Sequence, residues 1–111
     1  MNWLQFSDTA QIENIILLSQ TQTVLLFKHS TRCSISSMAL SRLERAWKDK
    51  EMEQITPYFI DLIANRNVST LVAQQFEVEH ESPQVLLIKK GICTYHNSHG
   101  GISYQEIKDH Q

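Results

Sequence analysis

Residues 28–37 read Lys28-His29-Ser30-Thr31-Arg32-Cys33-Ser34-Ile35-Ser36-Ser37. The apolar run Thr23-Val24-Leu25-Leu26-Phe27 precedes them and reads as a buried strand. Apolar residues at helical spacing follow: Ile35, Met38, Ala39, Leu43, Ala46 and Trp47. Cys33 therefore stands where a strand ends and a helix begins. The first N–H groups of a helix lack internal partners, and the aligned peptide dipoles add a partial positive charge there. Helix N-termini and neighbouring cations bring cysteine pKa values from about 8.5 down to about 3.5–7.5, so a reactive thiolate is expected. Arg32 adjoins the cysteine, Lys28 and His29 lie just upstream, and no Asp or Glu occurs between Val24 and Leu43. Ser34, Ser36 and Ser37 place hydroxyls in the first turn, able to donate to a thiolate or to cap the helix. The competing reading is a small apolar residue buried at a helix start.

Working outward, the pattern is that of one small α/β domain spanning 1–111. Trp3, Leu4 and Phe6 suit a short strand or loop. Asp8 and Gln11 have the spacing of a capping box, opening a helix through Ile12, Ile15 and Ile16 to about Gln20. The cysteine-headed helix is expected to run to about Glu51. Ile55 to Ile63 reads as a second buried strand, with Pro57 weakening its start. Val68, Leu71, Val72 and Phe76 mark a third helix beginning after Asn65. Ser82-Pro83 opens a strand, Lys90-Gly91 turns it, and residues 84–96 read as a hairpin. Gly100-Gly101 breaks the chain, and Ser103 with Glu106 starts a short helix over Tyr104 to Asp109. Strands alternating with helices imply parallel pairing, to which the late hairpin adds antiparallel strands. The expected architecture is a three-layer α/β/α sandwich with a mixed central sheet.

Composition narrows the function classes. Hydrophobic residues are 41% and charged residues 20%, and the net charge of −2 provides no basic field for nucleic acid. No apolar run is long enough to span a membrane. The first residues carry no secretory pattern, so a cytoplasmic location is expected. Two cysteines in such a chain do not suggest a disulfide framework. Cys93, His96 and His99 have the form C-x-x-H-x-x-H, but an odd separation on a strand points Cys93 and His96 to opposite faces, and no metal site is expected. Glu77, Glu79 and Glu81, alternating with Val78 and His80, read as a solvated face.

A strand, a cysteine at the next helix start and a later Ser-Pro opening a hairpin together resemble the thioredoxin fold, whose proline is cis and packs beside the cysteine. The segments K-H-S-T-R-C-S-I-S at 28–36 and H-E-S-P-Q at 80–84, with Ser98-His99, resemble the monothiol bacilliredoxin family. The resemblance implies an enzyme that removes bacillithiol from mixed disulfides on proteins, with no bound cofactor and bacillithiol or another low-molecular-weight thiol as co-substrate. It places the nucleophile on Cys33 and the substrate loop on Ser82 and Pro83. The residue before such a proline turns its N–H and C=O outward, where an extended substrate can pair as an added strand.

One departure stands out: the family's usual C-P-I-S is C-S-I-S here, so Ser34 restores an N–H that proline lacks. The position of a resolving cysteine is Ser36, so no local C-x-x-C disulfide can close. Arg32, Ser34 and Ser36 are the expected stabilisers of the thiolate. Gly100 and Gly101, like the glycine pair of glutaredoxins, offer N–H groups for a small thiol's carboxylate. His99 beside them is either a proton donor or cation, or a solvated loop histidine. Topology sends Cys93 to the far end of the sheet as a packed residue. Expected partners are S-thiolated proteins and the small thiol, with the chain a monomer or weak dimer. Two other readings compete: a non-enzymatic binding module using the Ser82-Pro83 edge, and an arsenate-reductase-like enzyme. The latter needs several arginines around the cysteine, and only Arg32 adjoins it.

Overall fold

The computed structural model describes residues 1–111. Five strands form one mixed sheet: β1 (Leu4–Gln5), β2 (Thr23–His29), β3 (Ile55–Asp61), β4 (Gln84–Lys89) and β5 (Ile92–Ser98), in the spatial order β1-β3-β2-β4-β5. The first three are mutually parallel, β4 runs antiparallel to β2, and β5 runs antiparallel to β4. Four helices cover it: α1 (Ile12–Leu18), α2 (Ser34–Ala46), α3 (Arg66–Phe76) and α4 (Tyr104–Asp109). Short 3₁₀ turns occupy Thr9–Gln11, Asp49–Glu51 and His99–Gly101. No helix is long and apolar enough to cross a membrane.

The central strand β2 is buried at all seven positions, its apolar run through Phe27 and the polar Lys28 and His29 alike. Its alternate side chains feed two cores. Val24 and Leu26 join Ile15 of α1 and Val68, Val72 and Phe76 of α3, whereas Leu25 and Phe27 join Ala39 and Leu43 of α2 and Ile107 of α4. The architecture is the expected α/β/α sandwich.

Local signals account for most boundaries. The Asp8 carboxylate accepts the Ala10 N–H at 2.9 Å and the Gln11 side-chain oxygen accepts the Asp8 N–H at 3.0 Å, completing the capping box. At α4 only half forms: the Ser103 hydroxyl accepts the Glu106 N–H at 3.4 Å. Pro57 sits inside β3 without penalty. Phe59, two residues on, accepts the Phe6 N–H, so the backbone of both residues faces the β1 side. The two-residue β1 pairs only with Tyr58 and Phe59, leaving no partner for an N–H at Pro57 to miss.

Three expectations need correcting. Helix α2 ends at Ala46 and does not reach Glu51. Trp47 turns extended (ψ 126°) and its ring packs edge-on against Tyr104, 5.9 Å between centroids, while the Lys48 N–H donates to the Tyr104 hydroxyl. Secondly, Ile35 and Met38 belong to the apolar pattern of α2 but not to its buried face, being 55% and 66% exposed. Thirdly, a register shift between Leu87 and Ile88 breaks the parity of β5. Cys93 pairs with Ile88 and His96 with Leu86, both residues of the α1/α3 core, so the two side chains share a face. His96 is nonetheless exposed, and no group of three or more His, Cys, Asp or Glu gathers as a metal would require.

Candidate active site

The end of β2 and the start of α2 are joined by one tight turn. The Ser30 carbonyl accepts the Cys33 N–H at 3.1 Å, and the Cys33 carbonyl accepts the Ser37 N–H at 3.1 Å. Cys33 is thereby the N-cap residue of α2, with extended backbone (φ −115°, ψ 118°) and a free, half-buried thiol. The Ser82–Pro83 peptide is cis. Because Gln84 is paired with Lys28, the antiparallel ladder carries Pro83 and Ser82 on beside the end of β2. The His99 N–H donates to the Pro83 carbonyl at 3.0 Å, and Arg42 of α2 donates to the Ile102 carbonyl at 3.0 Å. Cys33, Ser82, Pro83 and the turn His99–Gly101 therefore lie at one end of the sheet.

The side chains around Cys33 are arranged differently from expectation. Ser36 is fully buried, and its hydroxyl accepts the Ser30 N–H at 3.0 Å and contacts His29 Nδ1 at 2.7 Å. The ring nitrogen and the hydroxyl share one hydrogen between them, whichever atom carries it, and so tie His29 to the Ser30 backbone. Ser36 thus holds the loop in front of Cys33, with its hydroxyl turned to His29 and Ser30. Burial pushes the His29 pKa down, with Asp61 and Glu44 opposing, in keeping with a neutral ring. Lys28 is not beside Cys33 either. It is fully buried on the opposite face of β2, with Nζ 3.2 Å from His80 Nδ1. Burial lowers its pKa to about 8. Of the cations read around Cys33 in the sequence, Arg32 remains its neighbour; it is exposed, as is Ser34 at the first position of α2.

The glycine turn also differs in detail. Gly100 faces open space, but a Cβ at Gly101 would collide with the side chain of Asn97. A side chain at Gly101 would have to displace the amide of Asn97, whose oxygen accepts the Ser98 N–H at 2.8 Å. His99 is exposed with a left-handed backbone (φ 54°). Cys93 lies at the other end of the sheet, opposite Ile88, which faces Val24 at the start of β2. The length of β2, roughly 20 Å at ~3.3 Å per residue, separates it from Cys33. It is half-buried, its thiol donates to the Tyr95 carbonyl at 3.3 Å, and burial pushes its pKa up.

The sequence reading missed a cluster on the α3 side of the sheet. His80 Nδ1 lies 3.2 Å from Lys28 Nζ and 3.0 Å from the Ser69 hydroxyl, and Ser69 is buried on α3. Burial and the adjacent lysine lower the His80 pKa. The exposed Glu77, Glu79 and Glu81 do form a solvated edge, but His80 turns one nitrogen inward from it. Strand parity held the signal: Lys28 follows Val24 and Leu26 at intervals of two, and so faces away from α2.

Comparison with known structures agrees with this arrangement. A protein of thioredoxin fold described as a candidate oxidoreductase superposes with a TM-score of 0.80 at 25% identity, over 96% of this chain and 90% of that one. The thioredoxin of Malassezia sympodialis gives 0.75 at 12% identity, over 97% and 86%. That of Fasciola hepatica gives 0.71 at 15% identity, over 96% and 98%. The family model described as Monothiol bacilliredoxin BrxC matches residues 4–107, and the chain belongs to that family of thioredoxin-fold thiol oxidoreductases.

Proposed function

We propose that this protein removes bacillithiol, or a similar low-molecular-weight thiol, from mixed disulfides on cytoplasmic proteins, with Cys33 as the only catalytic thiol. The observation that carries this reading is the position of Cys33. It caps the N-terminus of a 13-residue helix, its sulfur is free, position 36 is a buried serine, and the other cysteine lies across the sheet. The Cys33 thiolate attacks the small-thiol sulfur of the mixed disulfide. A new S–S bond forms, the old one breaks, and the protein thiolate departs with its electron pair and takes a proton from solvent. Cys33 then carries the small thiol. A second molecule of that thiol attacks the adduct, leaves as the symmetrical disulfide and returns Cys33 to the thiolate. No bound cofactor enters this cycle.

Two surfaces suit the protein substrate. The backbone N–H and C=O of Ser82 make no bond elsewhere in the chain, which leaves them open to an extended peptide. Ile35 and Met38 stand exposed on the first turns of α2, beside Cys33, as an apolar contact for the target. The test is intact-mass analysis at neutral pH after mixing with bacillithiol disulfide. Wild type should gain one adduct that added bacillithiol reverses, and Cys33→Ser should gain none. An adduct that persists in Cys33→Ser would move the chemistry to Cys93. Reaction no faster than that of a cysteine peptide would leave a binding module.

A further inference from the structure

A groove of about 520 Å³ opens between α3 and the segment leading to Pro83. Its polar lining includes Ser30, Arg66, Ser69, Thr70, His80 and Ser82, and no acidic residue lines it. Arg66 and Lys28 form no salt bridge. The Lys28 ammonium lies behind the lining, fully buried and 3.2 Å from Nδ1 of the lining residue His80. The Ser82 hydroxyl is buried and has no hydrogen-bond partner. Two carboxylates near it are hydrogen-bonded outside it: Asp61 accepts the Ile63 and Ala64 N–H groups, and Glu81, whose charge is felt at His80, accepts from the Ser98 hydroxyl. A buried cation without a counter-ion and an orphaned hydroxyl each cost free energy unless a partner arrives.

We infer that this groove binds the carboxylate-bearing end of the low-molecular-weight thiol while its sulfur is bonded to Cys33. The site rests on the reaction proposed above and moves the thiol's anionic end from the glycine turn to the α3 side. The groove is within reach of the chemistry, because Ser30 accepts the Cys33 N–H and Ser82 immediately precedes Pro83. Arg66 at the rim supplies a planar donor pair suited to a carboxylate, Ser82 supplies the unspent hydroxyl, and Lys28 supplies charge from below.

The test uses two symmetrical disulfides of similar size: dithiodipropionate, with a carboxylate on each half, and neutral hydroxyethyl disulfide. With either, the Cys33 thiolate displaces one half as a thiolate and keeps the other in the new disulfide. The readout is the ratio of the two second-order rate constants at neutral pH and low salt. In wild type the ratio should favour the anionic reagent and fall with added salt. Losing one charge-assisted contact of about 1.4 kcal/mol corresponds to about tenfold. Arg66→Gln and Lys28→Met should each lower the ratio by about that factor. Arg66 is exposed, so its variant decides the matter even if Lys28→Met does not fold. A ratio unchanged in Arg66→Gln, with Cys33 still labelled by the neutral reagent, overturns the groove and leaves the thiol-exchange reading standing. Failure of both reagents to label wild-type Cys33 overturns that reading and the groove with it.

Discussion

Ser36 shows what residue type alone cannot reveal. Its place three residues after Cys33 is that of a resolving thiol in a C-x-x-C motif, and the residue there is a serine. Its hydroxyl was expected at the thiolate, yet it ties His29 to the Ser30 backbone. Which neighbour a hydroxyl chooses depends on χ1 and on groups brought in by β2, neither of which spacing encodes. Two outcomes follow. Ser36→Ala leaves the half-buried Ser30 N–H and the buried His29 Nδ1 unpaired and should cost about 1–3 kcal/mol, read as a lower urea midpoint at unchanged slope. Ser36→Cys places a second sulfur three residues along the same helix face, where side-chain roots lie about 5–6 Å apart. After mild oxidation that variant should lose two hydrogens in intact mass and stop accumulating the small-thiol adduct on Cys33. If the adduct instead persists at wild-type yield, the helix start does not present position 36 to Cys33.

At the scale of elements, strands were read more closely than helix ends and ladders. The apolar run that opens β2 is a continuous signal, and the strand starts where that run starts, with Lys28 and His29 continuing it as buried polar residues. The end of α2 was not legible, because Tyr104, more than fifty residues on, intercepts the Lys48 N–H. The bulge opposite Leu87 and Ile88 was also invisible, and with it failed the parity argument that separated Cys93 from His96. The hairpin turn carries a testable strain. Lys90 and Gly91 have φ of 50° and 79°, and their N–H groups donate to the Ser19 carbonyl and hydroxyl, pinning the turn to the end of α1. Such turns favour Asn-Gly, since a lysine side chain is disfavoured at positive φ. Lys90→Asn should therefore raise stability by about 0.5–1 kcal/mol, and Gly91→Ala should lower it by about 1 kcal/mol or more. Thermal melts of the two variants check the signs, and a Gly91→Ala protein as stable as wild type would contradict the turn geometry.

For the whole molecule, the notable feature is a lysine with no exposed surface in the middle of a five-stranded sheet. Its folded pKa, about 8, lies below the ordinary 10.5 because burial penalises the charged form. Below about pH 8 both folded and unfolded chains hold the proton, and the cost of burying it is fully present. Between about 8 and 10.5 the unfolded chain binds more protons than the folded one, so this residue makes stability rise with pH. The gain is on the order of 3 kcal/mol across the window. Cys93 and Tyr104 act in the opposite sense, since burial raises both pKa values and ionisation then favours the unfolded chain at alkaline pH. Both remain in Lys28→Met, so the difference between the two proteins isolates the lysine. His29 and His80, whose pKa values are lowered, give both proteins an acid limb on which stability falls as pH drops through the ordinary histidine range. Denaturant melts of wild type and Lys28→Met from neutral pH to pH 10.5 should show the variant the more stable at neutral pH and the gap closing upward through the window. A gap that does not change with pH would mean that Lys28 keeps its proton in the fold, held by contacts that offset its burial. The groove beside it would then have no unpaired charge to offer an anion.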